Sequence, residues 1–203
     1  MRAPLTPRRI FQAALTVIDE QGAKALTMRR VAASLGVEAM SLYYHVPNKD
    51  ALVEGVLDLL VAEANLPTGD VDAEQWVTGT AEAFRRMAQA HPRAVPLLLS
   101  RPIPMADLAA AEPLEAGLAA FSALGRSAED GFAAVQIIAL SVLALGLLES
   151  TVILDPPIPE SRVVELPADR LPLLHAVADL SLDLDRCWET LIGALVRGMT
   201  QPE

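Results

Sequence analysis

Residues 26–56, LTMRRVAASLGVEAMSLYYHVPNKDALVEGV, hold two short helical patterns parted by a glycine and followed by a longer one. Thr27 suits an N-cap, with Leu26 and Val31 at the spacing of a hydrophobic staple. Val31 and Leu35 share one face of the first short helix. Gly36 ends it, at a left-handed turn position that most side chains resist. In the second, AMSLYYHV, Leu42 and Val46 are four apart and face inward together. Pro47 stops that helix, because the residue before a proline avoids the α region. Asn48 caps the third, whose stripe is Leu52, Val56, Leu59 and Leu60. Upstream, Thr6 and Pro7 open another helix with the stripe Ile10, Ala14, Val17 and Ile18, closed by Gly22. Two short helices about a tight turn, flanked by longer ones, form a helix-turn-helix unit. Its first short helix crosses a phosphate backbone while its second enters the major groove.

With Leu42 and Val46 inward, Ala39, Met40, Ser41, Tyr43 and Tyr44 stand outward or at the rim. Both tyrosines of a chain with only 4% aromatic residues sit here side by side. A tyrosine ring packs on sugar and its hydroxyl bonds phosphate. Ser41 can donate to phosphate or a base edge, Lys49 neutralises a phosphate, and Arg29 reaches guanine. Taken singly, a tyrosine could instead be core with its hydroxyl at the edge, and His45 could simply close its helix. Capping, turn, face and charge agree on nucleic acid as the partner.

The charge is divided in the same sense. Net charge is -10, yet residues 1–50 carry seven basic against four acidic side chains. The remainder holds nine basic against 22 acidic. A basic head attracts a polyanion that the acidic body repels. The composition, 52% hydrophobic and rich in Ala and Leu, favours helix over sheet and excludes a disordered chain. The single cysteine, Cys187, suits a reducing, cytoplasmic compartment, and MRAPLTPRRI does not resemble a signal peptide. The run FAAVQIIALSVLALGLL, residues 132–148, is short for a membrane span and flanked by acids. It reads as a helix buried in protein.

LTMRRVAASLGVEAMSLYYHVPNKDALVEGV resembles the DNA-binding head of the TetR family of bacterial repressors, and SLYYHVPNKDAL is similar to that family's signature. The resemblance is strongest to the branch of the tetracycline repressors and extends weakly through AFRRMAQAHP, LLLSRP and LEAGLAAFSALG. It implies that Arg29 contacts a base edge and that Ala39, Met40 and Ser41 lie in the groove. Thr27, Tyr43, Tyr44, His45 and Lys49 then hold the backbone. Ala39 departs from the family's pattern, where a glutamine reads adenine; an apolar contact to a thymine methyl is expected in its place.

The expected fold is all-α. A head over residues 1–48, a connecting helix over 49–66 and a ligand-binding and dimerisation body over 67–203 follow in order. Helices are expected near 73–90, 114–124, 127–154, 169–180 and 183–200, with a loop over 155–168. The helix of 127–154 is apolar nearly all round, and a homodimer through it and the last helix would cover it. A pocket between the fourth helix and residues 73–124 has Asn65, Trp76, Phe84, Met87, Leu97, Leu98 and Met105 as walls. His91, Arg101 and Gln136 are its polar contacts. Leu97 stands where tetracycline repressors carry a metal-binding histidine, so a metal-free, apolar effector and no cofactor are expected. The effector would release a palindromic DNA operator. The three histidines and Cys187 show no catalytic spacing, which argues against an enzyme. The competing reading is a helical ligand-binding protein whose head no longer reads DNA.

Overall fold

The computed structural model describes residues 4–100, 108–154, 167, 169–173 and 183–199. Among these the regular structure is helical: α1 (Pro7–Gln21), α2 (Met28–Leu35), α3 (Ala39–Tyr43), α4 (Lys49–Ala64), α5 (Ala73–Ala90), α6 (Val95–Ser100), α7 (Leu108–Ala123), α8 (Ala128–Leu154) and α9 (Leu184–Met199). In the head, α1 packs on α2 and α4, and α2 on α3. Its core is Ile10, Ile18, Leu26, Val31, Leu42, Val46, Leu52 and Val56, all at most 1% exposed. The caps are local and satisfied. Thr6 Oγ1 accepts from the Arg9 amide at 3.3 Å, Thr27 Oγ1 from Arg30 at 3.2 Å and Asn48 Oδ1 from Ala51 at 2.8 Å. Each stabilises its helix by about 1 kcal/mol.

Three boundaries differ from the sequence expectation. The segment AMSLYYHV stays helical only to Tyr43. The amides of His45 and Val46 both donate to the Leu42 carbonyl, at 2.9 and 2.8 Å. That turn sets Val46 in the core one residue before Pro47. A 3-10 turn, Ala23–Ala25, joins α1 to α2. Helix α7 starts at Leu108 rather than Leu114 and contains Pro113. The Pro113 carbonyl accepts a 2.8 Å bond from buried Trp76 Nε1, so docking onto α5 outweighs the missing proline N–H. Of the loop over 155–168 and the helix near 169–180, all but residues 167 and 169–173 lie outside the described residues.

In the body, α5 packs on α7, α8 and α9, and α4 on α5 and α7. By length and composition alone, Ala128–Thr151 would pass for a membrane span. One side of α8, with Ala134, Ile138, Val142 and Leu143, is buried within the chain. At its end Glu149, 5% exposed, accepts from Arg85, Gln89 Nε2 at 2.9 Å and Trp188 Nε1 at 2.8 Å. Arg85 also meets Asp185 and lies 5.2 Å from the Trp188 ring centroid. Burial pulls the Arg85 pKa down. Its hydrogen bonds and ion pairs with Glu149 and Asp185 outweigh that and hold it above the ordinary value. The cluster ties α5, α8 and α9 together.

Candidate nucleic-acid interface and body core

The turn between α2 and α3 is built by Gly36, at φ 66° and ψ 37°, whose amide donates to the Ala32 and Ala33 carbonyls. This left-handed cap lets α3 leave at an angle, and Leu42 (0% exposed) pins it from beneath. The opposite face is open. Met40 is 65% exposed, Tyr43 44% and Tyr44 86%. Thr27, Arg29, His45 and Lys49 are exposed too, and Ala39 and Ser41 are half-buried. Helix α3 and its flanks thus bring all nine sequence-selected residues to the head's surface. Thr27 serves its cap through its hydroxyl oxygen and keeps the proton to donate. Lys49 opens α4, where the first amides point outward and favour an anion.

The body residues divide. Trp76, Phe84, Met87 and Leu98 are buried in one core, with Leu97 half-buried beside it. Trp76 meets Phe121 edge-on, at 6.0 Å between centroids and 72° between planes. Three expected contacts stand elsewhere. Asn65 is the exposed left-handed C-cap of α4, at φ 54°. Gln136 lies on the exposed side of α8; in a helix apolar nearly all round, the pattern does not reveal which face turns inward. His91 is taken up by carboxylates, Nδ1 at 2.9 Å from Asp19 Oδ2 and Nε2 at 3.7 Å from Glu63 Oε2. Arg101 and Met105 lie outside the described residues.

Two polar features of the body escaped the sequence reading. Thr80, one turn from both Trp76 and Phe84, is 2% exposed, and its Oγ1 has no hydrogen-bond partner among the described residues. The second is the buried Glu149, and the signal that marks it is its place as an acid ending an apolar run, a position that asks for a buried partner.

Residues 10–56 match the model of the bacterial regulatory proteins, tetR family. The tetracycline repressor protein class A from transposon 1721 of Escherichia coli is 34% identical over 90 residues, 43% of this chain and 42% of its own. An HTH-type transcriptional regulator of Saccharopolyspora erythraea is 37% identical over 119 residues, 57% of this chain and 50% of its own. The chain therefore spans about half the length of these curated relatives. Over the whole chain, the crystal structure of the Streptomyces coelicolor TetR family protein ActR in complex with actinorhodin superposes with a TM-score of 0.82. It shares 28% identity and covers 97% of this chain and 96% of its own. The head over residues 10–56 thus carries the helix-turn-helix of the bacterial regulatory proteins, tetR family, and the body shares the helical architecture of ActR.

Proposed function

We propose that this protein is a ligand-responsive, DNA-binding transcriptional repressor, acting as a homodimer on a palindromic operator and released by a small effector. One observation carries the reading: a five-residue helix, anchored by one buried leucine, that with its C-cap Tyr44 presents Met40, Tyr43 and Tyr44 to solvent on a head that also exposes Arg29 and Lys49. Packing gains nothing from such exposure. Nucleic acid uses it, through rings on sugar, hydroxyls and cations on phosphate, and Arg29 with Ala39, Met40 and Ser41 at base edges. The relatives, transcriptional regulators and repressors, favour regulation over catalysis.

A homodimer accounts for the open side of α8. Ala133, Ile137, Leu140, Ala144, Leu148 and Thr151 are exposed at spacings of three or four. That is a mainly apolar stripe that stays open among the described residues, and α9 lies beside α8 to complete a four-helix interface with a second copy. Head, connecting helix and body over 1–48, 49–66 and 67–203 then have separate tasks. The effector acts within the body core beside Trp76, Phe84, Met87 and Leu98. It is mainly apolar, carries a group able to bond Thr80 Oγ1, and needs no metal or other cofactor. ActR's complex with actinorhodin supports a ligand held by such a body. The effector shifts the head geometry only by its difference in affinity for two body forms. The setting is cytoplasmic, off the membrane, where DNA is available.

Selection of bound sequences from random double-stranded DNA with the purified protein tests the reading. A palindrome whose half-sites lie about one helical turn apart is expected. Recovery of no sequence above background would favour a ligand-binding protein with a silent head.

A further inference from the structure

The body holds the head at one corner, where α5 ends. His91 is the C-cap of α5, and its amide donates to the Met87 carbonyl at 2.8 Å. Its ring reaches the head instead of the body core, with Nδ1 2.9 Å from Asp19 Oδ2 in the last turn of α1. Its Nε2 lies 3.7 Å from Glu63 Oε2 in the last turn of α4. Two residues on, Arg93 Nη1 donates to the backbone carbonyl of Asp19 and, at 3.3 Å, to that of Glu20. The last carbonyls of a helix lack partners inside it and carry the negative end of its dipole. A guanidinium from another unit answers both needs. The grip has one unsatisfied atom: Asp19 Oδ1 is buried with no hydrogen-bond partner among the described residues. The carboxylate is therefore held by His91 on one side only, and a small displacement of the corner costs it that bond.

The geometry points to a latch: His91 and Arg93 clamp the C-terminal end of α1 and set the angle of the head on the body. This deepens, and rests on, the regulator proposed above. The latch belongs to the helix that carries Trp76, Thr80, Phe84 and Met87. Any change of the body core that moves the end of α5 acts at once on the first helix of the head. Neither His91 nor Arg93 lies on the Tyr43 and Tyr44 surface. They are positioning residues: they decide where the head is held, while other residues decide what it reads.

Two linked heads make the test sharp. Holding both at a fixed angle raises the affinity for two half-sites together and leaves the affinity for one unchanged. The full-length protein, His91→Ala with Arg93→Gln, and a milder His91→Gln are compared on the selected palindrome and on a duplex bearing a single half-site. The double variant is expected to lose about tenfold on the palindrome, with half-site affinity and the salt slope as in the wild type. His91→Ala and Asp19→Ala are expected to be non-additive on the palindrome, since each removes the same contact. Wild-type affinity of the double variant for the palindrome would overturn the latch. So would an equal loss on the half-site, or a shallower salt slope, which would make Arg93 a phosphate contact. Should the wild type itself not prefer the palindrome, the regulator reading fails first and takes the latch with it.

Discussion

Replacing Glu149 with alanine should unlock the body from within. Its carboxylate is 7% exposed and accepts from Arg85, Gln89 and Trp188 at once. Removing one partner of a fully buried ion pair costs about 3–5 kcal/mol. Arg85 is 26% exposed and keeps Asp185, which puts the ion-pair loss at or below the bottom of that range. The Trp188 indole, 1% exposed, is left without an acceptor, which adds about 1–2 kcal/mol. The total is about 4 kcal/mol, a large part of the stability of an ordinary domain. For a chain of this length that lowers the melting temperature by roughly 8–16 °C. Circular dichroism at 222 nm, at fixed protein concentration, reads it. Glu149→Gln, which keeps an acceptor but no charge, should lose about half as much. Combining Glu149→Ala with Arg85→Ala should cost clearly less than the two single losses added together. A Glu149→Ala protein melting within about 2 °C of wild type would refute this account of how α5, α8 and α9 are joined.

Other sites bear on the same account. A methyl group at Gly117 would stand 2.6 Å from Trp76 Cε2, and that ring is buried and tied to Pro113. Gly117→Ala should therefore lower urea stability by about 1–3 kcal/mol, despite alanine's better helix propensity. Asn48→Ala removes the 2.8 Å cap on Ala51 and should cost the start of α4 about 1 kcal/mol, seen as faster amide exchange there. Ala39→Gln restores a side chain able to bond adenine in bidentate fashion. Selection from random DNA with that variant should enrich adenine at one position of each half-site.

The head was legible because its signals are local. Thr6, Thr27 and Asn48 cap helices within three residues of themselves, Gly36 turns the chain, and Leu42 with Val46 marks one inward face. The body's decisive contacts join residues far apart in sequence. Glu149 meets Arg85 and Gln89 across 64 and 60 positions, and His91 meets Asp19 across 72. No spacing rule reaches that far. In α8 the apolar residues run round the helix, so periodicity does not tell the covered side from the open one, and Gln136 stands on the open one. The ring of His91 meets Asp19 and Glu63, which the sequence does not reveal for a related reason. A histidine closing a helix carries no sign of which neighbour its ring will meet.

Binding of the selected duplex across about 50–200 mM salt, against excess unrelated DNA, tests the central claim most directly. The wild type should bind specifically and lose affinity steeply with salt. Lys49→Ala should flatten that slope by about one unit per head, because one phosphate contact is gone. Tyr44→Ala, which removes the exposed aromatic residue that caps α3, should weaken binding by about 1 kcal/mol or more and leave folding intact. Unchanged affinity and slope in both variants would contradict the assignment of this surface to DNA.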